Sequence, residues 1–154
     1  MPIVLQSDTL MEHLTGIVHA GTQQHTHRVD LTAAAVLKPV GAGELDFGGG
    51  EFKPAHTERM EPQKRDASDD YGWWELSEGG YRVRFNEQVE GPRELFMLLT
   101  PHRHLSQAGV VADSLLIAPE EDPEALALNF QVPAAGLNIK ENARMASLYM
   151  LSGQ

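Results

Sequence analysis

Two histidine pairs with the same spacing are the residues of this chain that most directly suggest chemistry. His25 and His27 flank a single residue, and so do His102 and His104. In an extended strand, side chains two positions apart share a face, so each pair could supply two ligands to a zinc, nickel or manganese site. The pairs therefore raise the possibility of a metal-dependent β-barrel enzyme or binding protein.

A metal site would need a third ligand, which could come from Asp30, Glu120 or a histidine of another subunit. Histidine pairs also arise by chance in a chain with 7 histidines, on the surface or in a polar part of the core. We favour that interpretation and keep the metal site as the alternative.

Aromatic and basic side chains offer a second kind of site. Trp73 and Trp74 could stack on a nucleobase, although such a pair more often anchors a loop to the core. Arg82 and Arg84 share one face of a predicted strand and could meet phosphates or the acids of a neighbouring subunit. The run Gly48–Gly50 lacks the lysine and hydroxyl residue of a phosphate-binding loop and is a turn.

The composition limits the class of protein. A chain of 154 residues is long enough for one domain with a substantial core, here taken as residues 1–154. With 22 acidic against 12 basic residues, its net charge of −10 repels a nucleic-acid backbone. A local cluster of arginines can still bind a small phosphorylated ligand. Because there is no cysteine, disulfides, thiolate metal sites and cysteine nucleophiles are excluded.

No targeting or membrane segment is recognisable in the chain. No apolar stretch approaches the ~20 residues of a membrane helix, and the segment Met1–Asp8 has no basic region typical of a signal peptide. We therefore expect a cytoplasmic protein without a membrane partner.

The elements that would position these residues are mostly short strands. Tyr81–Phe85 alternates strictly between apolar and charged residues, and Val29–Leu37 and Val110–Ile117 also have strand patterns. The apolar run Leu95–Leu99 predicts a strand buried on both faces. Such strands, separated by Gly/Pro turns every ~8–12 residues, indicate an all-β sandwich or barrel.

Two segments depart from this strand pattern. Within Leu5–Val18, apolar residues recur at helical spacing and predict a short helix, which Ser7 or Asp8 could cap and Gly16 would weaken near its end. Residues 53–71 are the most polar part of the chain, and we interpret them as a long surface loop.

Four segments, in order, resemble the dCTP deaminase branch of the dUTPase-like superfamily. Leu5-Gln-Ser-Asp-Thr-Leu is similar to the family's I-L-S-D-x-x-I opening, and Val29-Asp-Leu-Thr to its S-x-D-L-x-L strand. The third segment, Tyr81–Gly109, contains two matches: Asn86-Glu-Gln-Val-Glu-Gly-Pro resembles x-E-x-V-x-x-P, and Pro101-His-Arg-His-Leu-Ser-Gln-Ala-Gly stands at P-R-S-S-L-x-R-x-G. Asn142-Ala-Arg-Met-Ala-Ser-Leu is similar to G-x-R-I-A-Q-L. The resemblance covers nearly the whole chain.

This resemblance implies a fold, an assembly and a substrate class. The subunit would be a distorted β-barrel or jelly-roll-like domain with a short N-terminal helix, and the protein a homotrimer with active sites between subunits. The substrate would be dCTP or dUTP, bound with Mg²⁺.

The phosphate-binding motif is altered in this chain. Where the family has two serines and an arginine that bind substrate phosphates, Arg103, His104 and Gln107 stand here. A guanidinium suits phosphate oxygens, so Arg103 and His104 could still bind them with a different reach. Asp113 completes the set of candidate substrate-binding residues.

The residues that would move protons are also replaced. The family's acid before Pro-Gly is Ala118 here, unless a shift of two residues brings Glu120 into its place, and the general acid/base glutamate falls at Asn129. An amide cannot exchange a proton at neutral pH. We therefore predict a protein of pyrimidine deoxynucleotide metabolism with weakened or lost catalysis and retained nucleotide binding or trimer assembly. If active, it would be a hydrolase of the dCTP deaminase or dUTP diphosphatase type.

Overall fold

A computed structural model of the chain describes residues 3–91, 94–121 and 126–152. Pro92, which ends one of the segments compared above, lies outside them. The described residues contain three short helices: α1 (Ser7–Met11), α2 (Ala20–Gln23) and α3 (Arg103–Gln107). The strands are β1 (Ile3–Val4), β2 (Leu14–Thr15), β3 (Val29–Gly41), β4 (His56–Met60), β5 (Trp73–Leu76), β6 (Gly79–Phe85), β7 (Gln88–Val89), β8 (Phe96–Pro101), β9 (Val111–Ala112), β10 (Leu115–Ile117), β11 (Ala127–Val132), β12 (Leu137–Lys140) and β13 (Arg144–Ser152).

One antiparallel sheet organises the molecule. Its strand order is β10-β8-β13-β3-β6-β11-β9, with β1 paired to β13 and β4 paired to β3. The long strand β3 joins the two halves, because its first residues pair with β13 and its later residues with β6. The remaining described pairs are β12 with β5 and β2 with β7. The predicted all-β class is confirmed.

The core lies on the concave side of this sheet, and strand periodicity determines which residues enter it. On β6, Tyr81, Val83 and Phe85 are buried while Arg84 is exposed, as the alternation predicts. Tyr81 stacks on Phe130 of the neighbouring β11, with ring centroids 5.9 Å apart.

Strand β8 differs from the prediction of burial on both faces. Met97 and Leu99 are fully buried, whereas Phe96 and Leu98 on the other face are only half-buried. The segment Val110–Ile117 also does not form one strand: β9 pairs with β11 and β10 with β8, at opposite edges of the sheet.

The predicted N-terminal helix is present but short. It ends at Met11 because the chain turns into β2, and Gly16 then adopts a φ of +82° against the backbone of Asn86. Ser7 does not cap the helix: its hydroxyl donates to the carbonyl of His25 instead. The N-cap position belongs to Gln6, which makes no side-chain capping bond.

The polar segment 53–71 is not entirely a loop. It contains β4, which pairs with β3 from Val36 opposite Met60 to Gly41 opposite His56. The strand carries no fully buried residue, so its sequence shows no apolar alternation. No helix among the described residues is long and apolar enough to cross a membrane.

Candidate functional site

The helix α3 presents three of the predicted phosphate-binding residues. It follows β8 directly and is anchored by Leu105, which is buried. Arg103, His104 and Gln107 point outwards and are exposed. The Nδ1 atom of His102, at the N-cap, accepts a hydrogen bond of 3.1 Å from the backbone N–H of His104. The described part of the chain contains no ion pair or side-chain hydrogen bond that engages the side chain of Arg103.

A buried carboxylate lies beneath α3. Asp30 on β3 is completely inaccessible to solvent, yet four basic side chains and one hydroxyl converge on it. Its Oδ1 accepts from Arg28 Nε at 3.1 Å and Ser147 Oγ at 2.9 Å, and its Oδ2 lies 3.0 Å from His25 Nε2, 3.2 Å from Arg144 Nη1 and 3.5 Å from His102 Nε2. We call Asp30 and these five partners the Asp30 cluster.

The Asp30 cluster fixes the charge state of its members. Burial raises the pKa of Asp30, but the hydrogen bond from Ser147 and the charges of His102 and Arg28 outweigh it, so the pKa lies below its ordinary value. Burial lowers the pKa of His102 and the Asp30 charge raises it, while the neighbouring cations His104, Arg144 and Arg28 lower it further. The net result is a lowered pKa for His102 and a carboxylate that stays ionised.

A cavity of about 200 Å³ opens between α3 and the Asp30 cluster. Two guanidinium groups, from Arg28 and Arg103, line it together with the hydroxyls of Thr100, Ser147 and Tyr149. Because Arg28 Nε bonds to Asp30, its direction is fixed by a buried partner. The hydroxyls of Ser147 and Thr100 already donate to Asp30 Oδ1 and to the carbonyl of Ser147, so the guanidinium groups are the donors that suit an anion with several oxygens.

Sequence reasoning missed Arg28 and Tyr149 as members of this group. Arg28 stands two positions before Asp30, a spacing that places both side chains on one face of a strand. That spacing is the feature of the sequence that could have identified Arg28. No feature of the sequence points to Tyr149, because it lies on β13 at the other end of the chain.

The predicted catalytic position lies on a separate part of the sheet. Asn129 on β11 accepts a hydrogen bond from Arg82 Nε at 2.9 Å through its Oδ1. Its backbone N–H and its Nδ2 donate to the carboxylate of Asp113 at 3.1 and 3.4 Å. The structure thus brings together Asn129, Asp113 and Arg82, all at least partly exposed.

The third candidate, Glu120, is not part of this group. It is exposed in the turn after β10, near Ala118, and no polar contact among the described residues joins it to Asn129 or Asp113. Among the described residues, no polar contact joins the α3 residues to the Asp113–Asn129 pair either. Within one chain, the described candidate residues therefore form two groups that share no polar contact, and Glu120 belongs to neither.

The alternative metal ligands are divided as well. His25 and His102 both face Asp30, but Arg144 and Arg28 share the same carboxylate. His27 is exposed near the carbonyl of Leu5. Among the residues that the structure describes, no group of three or more histidines and acids is placed to hold a metal ion.

Comparison of the sequence with known proteins finds two archaeal relatives. The chain is 28% identical, over 135 residues, to a probable deoxyuridine 5′-triphosphate nucleotidohydrolase of Methanosarcina mazei, covering 88% of this chain and 75% of the relative. It is 26% identical to the protein of the same name from Methanosarcina acetivorans, with the same coverage. No protein-family model matches the chain.

Comparison of the fold gives a consistent result. The structure is similar to the crystal structure of 2′-deoxycytidine 5′-triphosphate deaminase from Agrobacterium tumefaciens, with a TM-score of 0.70 over 99% of this chain at 12% identity. The chain spans about half the length of that deaminase, 49% of it. This likeness concerns the fold, and it agrees with the resemblance of the four sequence segments.

Proposed function

Because this chain belongs to the dCTP deaminase/dUTPase-like superfamily, we propose that it binds a pyrimidine deoxynucleoside triphosphate and that its catalysis of dCTP deamination or dUTP hydrolysis is weakened or lost. The names of the relatives and of the structural neighbour support a role in pyrimidine nucleotide metabolism.

The exposed face of α3 and the cavity beside it supply the phosphate site. No described residue engages the guanidinium group of Arg103 there, Arg28 is directed by Asp30, and Gln107 offers an amide donor. A triphosphate concentrates negative charge, and charge-assisted hydrogen bonds from guanidinium groups are among the strongest that a protein can offer it.

Magnesium would enter this site with the nucleotide. Mg²⁺ in such sites is held mainly by phosphate oxygens, water and one or two carboxylates. The cavity and the α3 face carry guanidinium, imidazole and amide groups rather than exposed carboxylates. These residues would therefore bind the phosphates of the nucleotide. The Mg²⁺ ion would arrive already bound to the triphosphate.

The observation that carries the proposal of weakened catalysis is the hydrogen bonding of Asn129. Both ends of its amide are engaged, by Arg82 on one side and Asp113 on the other. Such an amide can orient a substrate but cannot take up or release a proton. Among the residues that the structure describes, Asp113 is the one carboxylate that hydrogen-bonds to it.

A homotrimer is part of the proposal, because the two groups of candidate residues are separate in one protomer. A second copy could bring the Asp113–Asn129 pair of one chain to the α3 face of another. The half-buried outer face of β8 and β13, next to the phosphate cavity, is apolar and suits such a contact.

A thermal-shift screen with dCTP, dUTP, dTTP, dUMP and ATP in the presence of Mg²⁺ tests the binding. A ligand at 100 times its Kd stabilises a fold by ~2.7 kcal/mol, so we expect a clear rise in Tm with a pyrimidine deoxynucleotide. Arg103→Ala should abolish the shift, whereas the matched change Arg59→Ala, at an exposed arginine of β4, should not. No shift with any nucleotide, or equal loss in both variants, would contradict the proposed site.

Product analysis on the same samples tests the catalytic part. Wild type is expected to turn over slowly or not at all, and the double variant Ala118→Asp with Asn129→Glu to gain turnover. General acid–base groups contribute typically ~10²–10⁴-fold, so a restored carboxylate gives a readable gain. Turnover by wild type at the typical enzyme rate of about 10 s⁻¹ would disprove the weakened state.

A further inference from the structure

The turn between β3 and β4 extends away from the core as an ordered arm. From Lys38 onward β3 is exposed, and the bridge between Glu44 and Lys53 continues the hairpin, with mutual backbone hydrogen bonds of 2.8 and 2.9 Å. We call residues 41–55 the hairpin arm. At its tip Leu45 is 89% and Phe47 110% exposed, and Phe52 is 54% exposed.

These side chains form an apolar tip with a fixed shape and an acidic surround. The carboxylate of Asp46 accepts a hydrogen bond of 3.0 Å from the backbone N–H of Glu51, which closes the turn. Glu44 lies 3.8 Å from Lys53, so Asp46 and Glu51 leave the tip with a net negative charge. Large apolar groups exposed together on an ordered element mark an interaction site.

The same chain carries a cavity of complementary character beside α3. It measures about 330 Å³, about ten times the ~30 Å³ that one water occupies in the liquid, which is enough for a benzyl group. Its apolar lining includes Leu105, Val110, Leu137 and Met145, and Trp73 forms part of its wall. We call it the α3–β12 cavity.

The rim of the α3–β12 cavity is basic. Lys140, Arg144 and His104 line it, and Arg65 covers one face of the Trp73 ring at 3.6 Å. Arg144 is partly engaged by the buried Asp30, whereas Lys140 makes its contact with the Trp73 ring at 5.8 Å. The rim therefore offers positive charge to an acidic partner.

We propose that the hairpin arm of one copy of this chain inserts Phe47 and Leu45 into the α3–β12 cavity of a second copy. The apolar tip meets the apolar lining, and Asp46 and Glu51 meet the basic rim. Different surfaces of the two copies take part, so the contact is heterologous, and a heterologous contact that closes forms a ring. The inference rests on the homo-oligomer of the proposed function, and it adds a specific arm exchange to it.

Cross-linking through introduced cysteines tests this contact, and no native thiol competes for the reagent because the chain has no cysteine. Gly48→Cys places a thiol at the tip, where nothing lies within 4 Å, and Ala108→Cys places one at the exposed rim of the cavity. The two single variants, unfolded and refolded together and treated with a short bis-maleimide, should give a cross-linked dimer on a denaturing gel. A mixture with Glu12→Cys in place of Ala108→Cys, exposed at the end of α1, is the matched control.

A second variant measures the contribution of the aromatic anchor. Phe47→Ala in the Gly48→Cys chain should raise the protein concentration at which half of the chains cross-link at least about tenfold, as expected for the loss of a buried aromatic hot spot. Equal cross-linking in the control mixture, or no effect of Phe47→Ala, would overturn the proposal. So would binding to phosphatidylcholine/phosphatidylserine vesicles that Phe47→Asp abolishes, since the tip would then be a membrane anchor.

These outcomes are separate from those of the nucleotide proposal. Cross-linking is read without nucleotide, whereas the Tm shift is read on the unmodified chain. A chain that binds nucleotide but does not cross-link loses the arm exchange alone, and one that cross-links without a Tm shift loses the nucleotide site alone.

Discussion

Asp30 is the residue on which the interior of the candidate site depends. A buried carboxylate is tolerated only if its charge is compensated by good hydrogen bonds, and here five side chains supply them. Asp30→Asn removes the charge but keeps the size, so Arg28 and Arg144 lose their counter-ion. We expect the free energy of unfolding to fall by about 3–5 kcal/mol, measured by urea denaturation.

The matched control for this change is Asp70→Asn. Asp70 is exposed, and none of the described contacts engages its side chain. A surface change of this kind stays within about 0.5 kcal/mol. Equal small effects at both positions would show that the Asp30 cluster contributes nothing to folding.

His102 gives the fold a dependence on pH. Its pKa in the folded state lies below the ordinary value of 6.5, because burial and the nearby cations outweigh the attraction of Asp30. The unfolded chain therefore binds the proton more readily, and stability that is fully present above pH 6.5 is lost as the pH falls through the folded-state pKa. The lowered pKa of Asp30 adds a further loss below pH 3.8.

Urea midpoints between pH 7.5 and pH 5 measure this dependence. We expect the slope against pH to become shallower in His102→Gln, and to stay as in wild type in His56→Gln, which changes an exposed histidine on β4. An unchanged slope in His102→Gln would mean that another group controls the acid sensitivity.

At the scale of elements, the N-terminal segment depends on one glycine. Gly16 has a φ of +82°, and a Cβ added there would lie 2.2 Å from the carbonyl oxygen of Asn86. Gly16→Ala must therefore displace β2 from β7, and the strained backbone adds about 1–2 kcal/mol to the clash. We expect a loss of several kcal/mol in urea denaturation.

Gly50→Ala is the control for this prediction, because nothing lies within 4 Å of a Cβ at that position. There the substitution reduces the entropy of the unfolded chain and should be neutral or slightly stabilising. Equal costs at both glycines would contradict the assigned close approach at Asn86.

The elements also show what a sequence pattern can and cannot predict. The alternation of apolar and charged residues identified β6, because Tyr81, Val83 and Phe85 all enter the core. Strand β4 has no fully buried residue, so its sequence shows no such alternation. The buried Glu87 escaped detection: it accepts from the backbone N–H and hydroxyl of Thr32 at 2.7 and 2.6 Å and from Gln23 at 2.8 Å. Such polar contacts join residues 55 or 64 positions apart, which no local period reveals.

For the candidate site too, the sequence indicated which local segments take part but not the contacts between distant residues. The motif comparison named Asp113, Asn129 and three residues that lie on α3, because short segments kept their order along the chain, but it predicted neither the helix α3 nor the contact between Asp113 and Asn129. It could not show that Asn129 is engaged on both sides, nor that Arg28 joins Arg103 at one cavity. Both features depend on the register of the strands, because a one-residue shift in pairing would turn the side chains of a strand to the opposite face.

At the scale of the whole molecule, local and global charge have opposite signs. The chain carries a net charge of −10, yet Arg28 and Arg144 both contact the carboxylate of Asp30, and Arg103 lines the same cavity as Arg28. An acidic surface slows the approach of a nucleotide, while the local cluster still provides a favourable potential at short range. The site thus has the charge that a triphosphate requires in a protein that otherwise repels polyanions.

The outer face of the sheet is the surface that the proposed homo-oligomer would use as its contact. Paired residues of neighbouring antiparallel strands share a face, so Leu98 lies beside Tyr149 and Leu116, and Val4 beside Leu151. All five are at least partly exposed, Leu116 to 59%. Apolar side chains exposed next to one another form the kind of surface that protein–protein contacts use.

Leu116→Glu tests this face as the subunit interface. A charge buried against apolar side chains without a partner is strongly unfavourable, so we expect dissociation to monomers in sedimentation velocity, with the urea stability of the protomer almost unchanged. Val18→Glu, at an apolar residue in a loop that is 49% exposed and not part of the sheet, should leave the assembly intact. If Leu116→Glu kept the wild-type mass, the apolar face would not be the contact, and the hairpin arm would have to hold the assembly alone.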